Sequence, residues 1–453
     1  MAHLRPRRPS GRGHGGRAAV AGSGNCRVRF RVPHPRSTFW LLSFAMGAST
    51  VGQSMLATAV PLFAVALGLA PVWVGVLVAL PNVLPVLLAM TAGRWIDRGG
   101  AGRWLAFGTG GMASAPLLLV LVPSAPSLAV AQLALGVFQL FAALSSQSFV
   151  ADLGGGRALE RNYATYATLL SAGRLVGPLL AGVAIDAAGF RAAFGVAAAV
   201  SAFTFALAWW IRGGVGAAAA GRADTEAVGD AVAGGSGAAG DAPIRTGATL
   251  PASLPPSYGV REALRNVGVQ LAVLSSSGVF VAISVKQAFL PVALQDLGYP
   301  ATTIGALISF GALAAVLVRP LMPLVSRVLG GPARTLVVAM ASVAIAVGAL
   351  GLVTSVVAFA LLGALAGFGT GVGLPLSIVT VASHVDPRHR GTALGLRLSL
   401  NRAAQLAMPV VIGAVIGVAG FDVGFGLAGA LLAGLALAAA GRVAPFERQA
   451  PRA

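Results

Sequence analysis

Long apolar runs, separated by short polar turns that carry arginine, fill most of the chain. A helix that crosses a bilayer needs about 20 apolar residues. Twelve runs reach that length, at about 38–60, 72–92, 104–122, 128–150, 164–186, 191–211, 267–291, 302–323, 335–354, 356–382, 393–418 and 423–441. Within them polar residues recur at helical spacing. Span 4 carries Gln132, Gly136, Gln139, Ala143 and Gln147, and span 1 carries Ser43, Gly47, Thr50, Ser54 and Thr58 with Gln53 alongside. Steps of three and four put each column on one helix face. Such faces are expected either to line a polar cavity or to hydrogen-bond one helix to the next.

Composition narrows the class. Apolar residues make up 57% of the chain, and charged residues only 10%, against about 25% in soluble domains. A soluble enzyme could not cover its surface with so few charges. One cysteine, Cys26, excludes disulfides and cysteine metal sites, and none of the five histidines lies inside an apolar run. No cofactor or metal is expected. A membrane-embedded enzyme would need a cluster of His, acids or a nucleophile at one depth, and no such cluster is visible. No phosphate-binding loop of the G-x-x-x-x-G-K-[ST] type occurs either.

The net charge of +19 would suit nucleic acid, but most of the basic groups sit between apolar runs, so no nucleic-acid partner is expected. With the N-terminus inside, almost every arginine falls on the inner side; the outer loops hold Arg191 alone, beside Asp186, Asp296 and Asp422. That asymmetry predicts both termini in the cytoplasm. Residues 1–36, with nine Arg and no acid, read as a disordered basic tail. A six-helix bundle is expected over 37–211, a low-complexity cytoplasmic linker over 212–265, a second bundle over 266–442 and a tail over 443–453. The halves repeat. A shift of 231 residues puts Pro178 on Pro409, Gly182 on Gly413 and Gly189 on Gly420, and a shift of 230 puts Gly75 on Gly305 and Gly100 on Gly330. The expected fold is an all-α membrane protein of twelve transmembrane helices in two pseudo-symmetric six-helix bundles.

Between spans 2 and 3 the chain reads GRWIDRGGAGRW (93–104), where a tight turn would use Gly93 and Gly100. Gly93, Asp97, Arg98 and Gly100 match the G-x-x-x-D-R-x-G-R-R loop of the major facilitator superfamily, which this chain resembles; Arg103 stands one place beyond the family's final arginines. GRLVGPLLAG (173–182) in span 5 resembles a second family motif through Gly173, Gly177, Pro178 and Gly182. The resemblance implies a transporter working by alternating access, with Asp97 facing span 11 and an arginine, here Arg103, paired to an acid at the end of span 4, here Asp152. The span 5 motif is associated with export, so efflux of small organic molecules is the leading expectation and uptake of an organic anion or neutral metabolite the alternative. The expected setting is the bacterial inner membrane, as a multi-pass monomer in contact with lipid and a small-molecule substrate, with a proton as the coupling ion to consider.

In that family spans 1, 4, 7 and 10 line the cavity. The candidate substrate-binding residues are therefore Gln53, Gln139, Lys286, Gln287, Thr370 and Ser377, with Arg174 near the middle of span 5. No carboxylate falls in a membrane core, whereas Arg174, Lys286, Arg397 and Arg402 do fall within spans. Intramembrane charge is costly and usually functional. A core with only basic charge predicts neutral or anionic substrates.

Overall fold

The computed structural model describes residues 35–152, 156–233, 260–385 and 390–449, and all of these belong to one compact unit. Residues 1–34 of the basic tail and 234–259 of the central linker lie outside the described residues. So do the side chains of Asp97 and Asp152. Ten helices among the described residues are long and apolar enough to cross a membrane. Two of them are interrupted: Gly156–Ala233 breaks at Ala188 and Gly189, and Arg390–Ala440 breaks at Gly420.

The N-terminal bundle contains α1 (Pro35–Ala66), α2 (Pro71–Gly99), α3 (Ala101–Leu121), α4 (Ala125–Asp152), α5 (156–187) and α6 (190–233). The C-terminal bundle contains α7 (Val267–Asp296), α8 (301–328), α9 (Pro332–Gly348), α10 (Val356–His384), α11 (390–419) and α12 (421–440). Helix suits this setting because a lipid core leaves backbone N–H and C=O groups no partner but one another. The helices run alternately up and down. The face bearing the start of α1 and the end of α12 is called the near face here, and its opposite the far face.

Glycines 230 or 231 residues apart make the turns of both bundles. Gly68 and Gly298, Gly100 and Gly330, and Gly189 and Gly420 all take φ between 75° and 86°. An L side chain would be strained there, so these positions stop one helix and start the next within a residue or two. The α2–α3 connection is little more than Gly100, whose N–H bonds Ile96 O at 2.9 Å. Gly93 lies inside α2 with nothing within 4 Å of its Cβ position, so it does not shape the turn as the sequence suggested. An aromatic stack of Trp95, Trp104 and Phe141 holds the turn instead, with Trp104 Nε1 donating to Trp95 O at 2.7 Å.

Two segment boundaries also differ from expectation. Backbone helix continues through Ala233, and a short helix spans Val260–Arg265, so both described ends of the 212–265 segment are helical. Residues 443–449 form a docked helix rather than a free tail. Phe446 is buried against His384, ring centroids 4.2 Å apart, and Glu447 pairs with Arg334 at 3.1 Å.

Candidate functional site: the crossing of the two bundles

Lipid offers no hydrophobic drive between helices, so small residues that allow close approach decide where they pack. The two bundles approach most closely at two glycine crossings in their far halves, and α7 also touches α1 and α2. At α5–α8 a Cβ on Gly182 would stand 2.1 Å from Ala301 O, and one on Gly305 would stand 2.2 Å from Pro178 O. At α2–α11 a Cβ on Gly75 would stand 2.1 Å from Pro409 O, and one on Gly413 would stand 2.7 Å from Pro71 O. Each contact has its counterpart 230 or 231 residues away, so the sequence repeat is also a repeat of contacts. Within the bundles the same rule holds: Gly136 packs on Pro81, and its equivalent Gly367 packs on Gly311.

The span 5 motif therefore divides its work. Gly173 and Gly177 seat α5 on α1 against Gly47, Thr50, Val51 and Ser54, while Pro178 and Gly182 face α8 in the other bundle. The small polar column on α1 is consequently a packing seam and not a cavity wall. Thr50 and Thr58 bond back to Met46 O and Ser54 O in their own helix. Only its neighbour Gln53 turns inward, where Gln139 Nε2 of α4 donates to Gln53 Oε1 at 2.5 Å and Gln53 Nε2 donates to Ser49 Oγ at 3.3 Å. The α4 column also splits by depth. Gln132 is buried and donates to Leu77 O, whereas Gln139 and Gln147 are exposed.

Polar groups join the bundles at two levels. At the far face the Asp186 carboxylate, at the end of α5, accepts from Ala301 N at 3.0 Å and Thr302 N at 2.7 Å. A carboxylate suits the N-terminus of α8, where free N–H groups carry the positive end of the helix dipole. At mid-depth Arg319 Nη1 of α8 donates to Ser171 Oγ of α5 at 2.8 Å, and Arg402 Nη1 of α11 donates to Asn82 Oδ1 of α2 at 2.7 Å. Ser171 and Arg402 occupy equivalent places in the repeat.

Arg174 sits one turn beyond Ser171. Val176, Leu179, Leu180 and Val183 form the exposed apolar face of α5, whereas Gly177, Pro178 and Ala181 are buried. Arg174 lies on the same side of α5 as Ser171, Pro178 and Ala181, yet it is exposed. On the same helix, Tyr166 Oη shares a 2.8 Å hydrogen bond with Ser146 Oγ of α4. Lys286 is half-buried with no hydrogen-bond or ion-pair partner among the described residues, and Gln287 beside it is exposed.

Two candidates on α10 do not fit ligand contact. Ser377 is fully buried and accepts from Arg397 Nη2 at 2.6 Å, so it satisfies a buried guanidinium. Thr370 donates to Gly367 O in its own helix. In the α2–α3 loop, Arg98 is exposed on the last turn of α2. Arg103 lines a groove of about 720 Å³ between α3 and α6, with Phe107, Phe205, Trp209 and Arg212, well away from the bundle crossing.

The geometry has relatives of known structure. A bacterial homolog of the human lysosomal transporter Spinster, in an inward-facing and occupied conformation, superposes with TM-score 0.68 at 12% identity, covering 92% of this chain and 97% of that one. The nucleoside transporter NupG gives 0.69 at 14% identity, over 90% and 100%. A peptide transporter POT in complex with sulfate gives 0.66 at 15%, over 91% and 95%. No curated protein matches the sequence. The family model of the Major Facilitator Superfamily matches residues 42–356 and again 277–453, nearly the whole of the described chain, and the protein belongs to that superfamily of membrane transporters.

Proposed function

We propose that the protein is a secondary active transporter that carries small organic molecules across a bacterial inner membrane by alternating access. Counting the halves of the two interrupted helices separately gives twelve crossings, with the near face in the cytoplasm and the far face outside. The observation that carries this reading is the pair of pseudo-symmetric crossings, α5–α8 and α2–α11, that hold the far halves of the bundles together. Rigid bundles in contact at one end can rock about that contact and expose a mid-depth site to either side. Here the closed end is the outer one, and exposed Gln139, Gln147 and Arg174 face the inner opening.

Export is the preferred direction, because the span 5 motif contributes directly to one crossing. Uptake of an anionic or neutral metabolite is the second reading, favoured by the basic mid-depth groups. The acids whose side chains are described lie at the two ends, with Asp186, Asp296 and Asp422 at the far face and Glu262 and Glu447 at the near face. Proton coupling, if used, would run through a group other than an embedded carboxylate described here. The protein acts as a monomer, and Asp97, with its neighbours Arg98 and Arg103, biases the switch from the near-face loop.

Counterflow into proteoliposomes, screened over a panel of labelled metabolites and drugs, tests the reading. Exchange of at least one compound, strongly reduced in Asp97→Asn at equal membrane expression, is the expected result. Wild-type exchange in Asp97→Asn would remove the loop from the mechanism.

A further inference from the structure

Two arginines from different bundles bear on one stretch of α5, one reaching Ser171 and the other three residues further along, and no described carboxylate bonds either of them. Arg319 of α8 reaches across to α5 and spends one nitrogen on Ser171 Oγ, while its Nε is buried without a partner among the described residues. Arg174, three residues along α5 from Ser171, is exposed and has no hydrogen-bond or ion-pair partner among the described residues. Like charges in a poorly screened interior repel, and each guanidinium retains N–H donors in a planar fork. A carboxylate, phosphate or sulfate matches that fork and supplies the missing negative charge.

We infer that Arg174 and Arg319 form one anion-binding centre, shared between the bundles, that takes the acidic group of the transported molecule. This deepens the transport reading and rests on it. Because one arginine belongs to each bundle, an anion between them strengthens the α5–α8 crossing and favours the state closed at the far face. Its departure leaves two like charges facing each other and favours separation. Binding and switching are thereby coupled through the charge of the substrate.

The test uses full-length protein in lipid nanodiscs. Thermal stability is followed against sodium sulfate and sodium succinate at constant ionic strength, with tetraethylammonium chloride as the cationic control. Sulfate also stabilises proteins generally, by exclusion from their surfaces, but that effect does not saturate. The expected result is a saturable rise in melting temperature with both anions and none with the cation. Arg174→Gln and Arg319→Gln should each raise the half-saturating concentration about tenfold or more, the worth of a charge-assisted hydrogen bond. Arg191→Gln, at an exposed far-face position, should leave it unchanged. Should either glutamine variant fail to fold, the corresponding lysine variant, which keeps the charge and loses the fork, should show a smaller loss in the same direction. Absence of a saturable anion effect in the wild type overturns the centre, as does one that survives loss of either arginine. Neither outcome touches the transport reading, which stands or falls separately on the opening and closing of the far face.

Discussion

Substituting Gly182 by alanine should push the protein out of its far-closed state. A Cβ at this position would stand 2.1 Å from Ala301 O, 2.7 Å from the carbonyl carbon and 2.8 Å from Thr302 Cα. All three are backbone atoms, so no side chain can rotate away. Ordinary contact begins at 3.4 Å, and α5 and α8 must therefore separate by about 1 Å or the backbone must distort. Overpacking of this kind costs about 1–3 kcal/mol. If only the far-closed state bears that cost, the closed-to-open ratio falls about 5- to 150-fold. Spin labels on Val122→Cys and Thr354→Cys, at far-face turns of opposite bundles and with Cys26 replaced by serine, would report it as a longer distance population. Gly75→Ala, the repeat-related change at α2–α11, should act the same way. Gly195→Ala, which meets nothing within 4 Å, should change nothing. An unaltered distance distribution in Gly182→Ala, with stability unchanged, would refute the idea that this crossing closes the far face.

Two further substitutions separate gating from packing. Asp186→Asn removes the charge that caps α8 across the bundle interface, and should shift the same distance distribution toward the open form by about 0.3–1 kcal/mol, reversibly screened by salt. Ser377→Ala leaves the buried Arg397 without its hydroxyl partner and should lower stability by about 1–3 kcal/mol, read as a fall in melting temperature. Because Ser377 is buried, the apparent affinity for any transported compound should stay the same; a selective loss of affinity would return Ser377 to the binding site.

The helices were legible because a membrane leaves little choice. Twenty apolar residues in a row must form hydrogen bonds within themselves, and glycines such as Gly189 and Gly420 mark where the direction reverses. The offset of 230–231 residues was legible too, since Gly75, Gly182, Gly305 and Gly413 face backbone in both halves and tolerate no larger side chain. Small polar residues were harder to assign. Serine and threonine at helical spacing serve a cavity wall and a tight helix seam equally well, and the α1 column turned out to be the seam. Glutamine is too long for a seam without a specific acceptor, which is why Gln139 faces inward while Gln132 is buried only where Leu77 O receives it. In the sequence Arg319 reads as one of the inner-side arginines, because it lies toward the inner end of its run, where arginine usually anchors a helix end. The helix instead continues through a 3-10 turn to Val328, which leaves Arg319 at mid-depth opposite Ser171.

The central claim is a single internal cavity that opens to one side at a time, and the reactivity of a cysteine at Gln139 tests it most directly. The side chain is exposed and bonds Gln53 of α1, and with the far end closed, as proposed, it would be reached from the near side. In a Cys26→Ser background, Gln139→Cys should react rapidly with a membrane-impermeant thiol reagent in inside-out vesicles and slowly in right-side-out cells. Adding Gly182→Ala should speed the reaction from outside. Equal rates from both sides in the parent protein, or an outside rate that Gly182→Ala leaves unchanged, would contradict alternating access about these crossings.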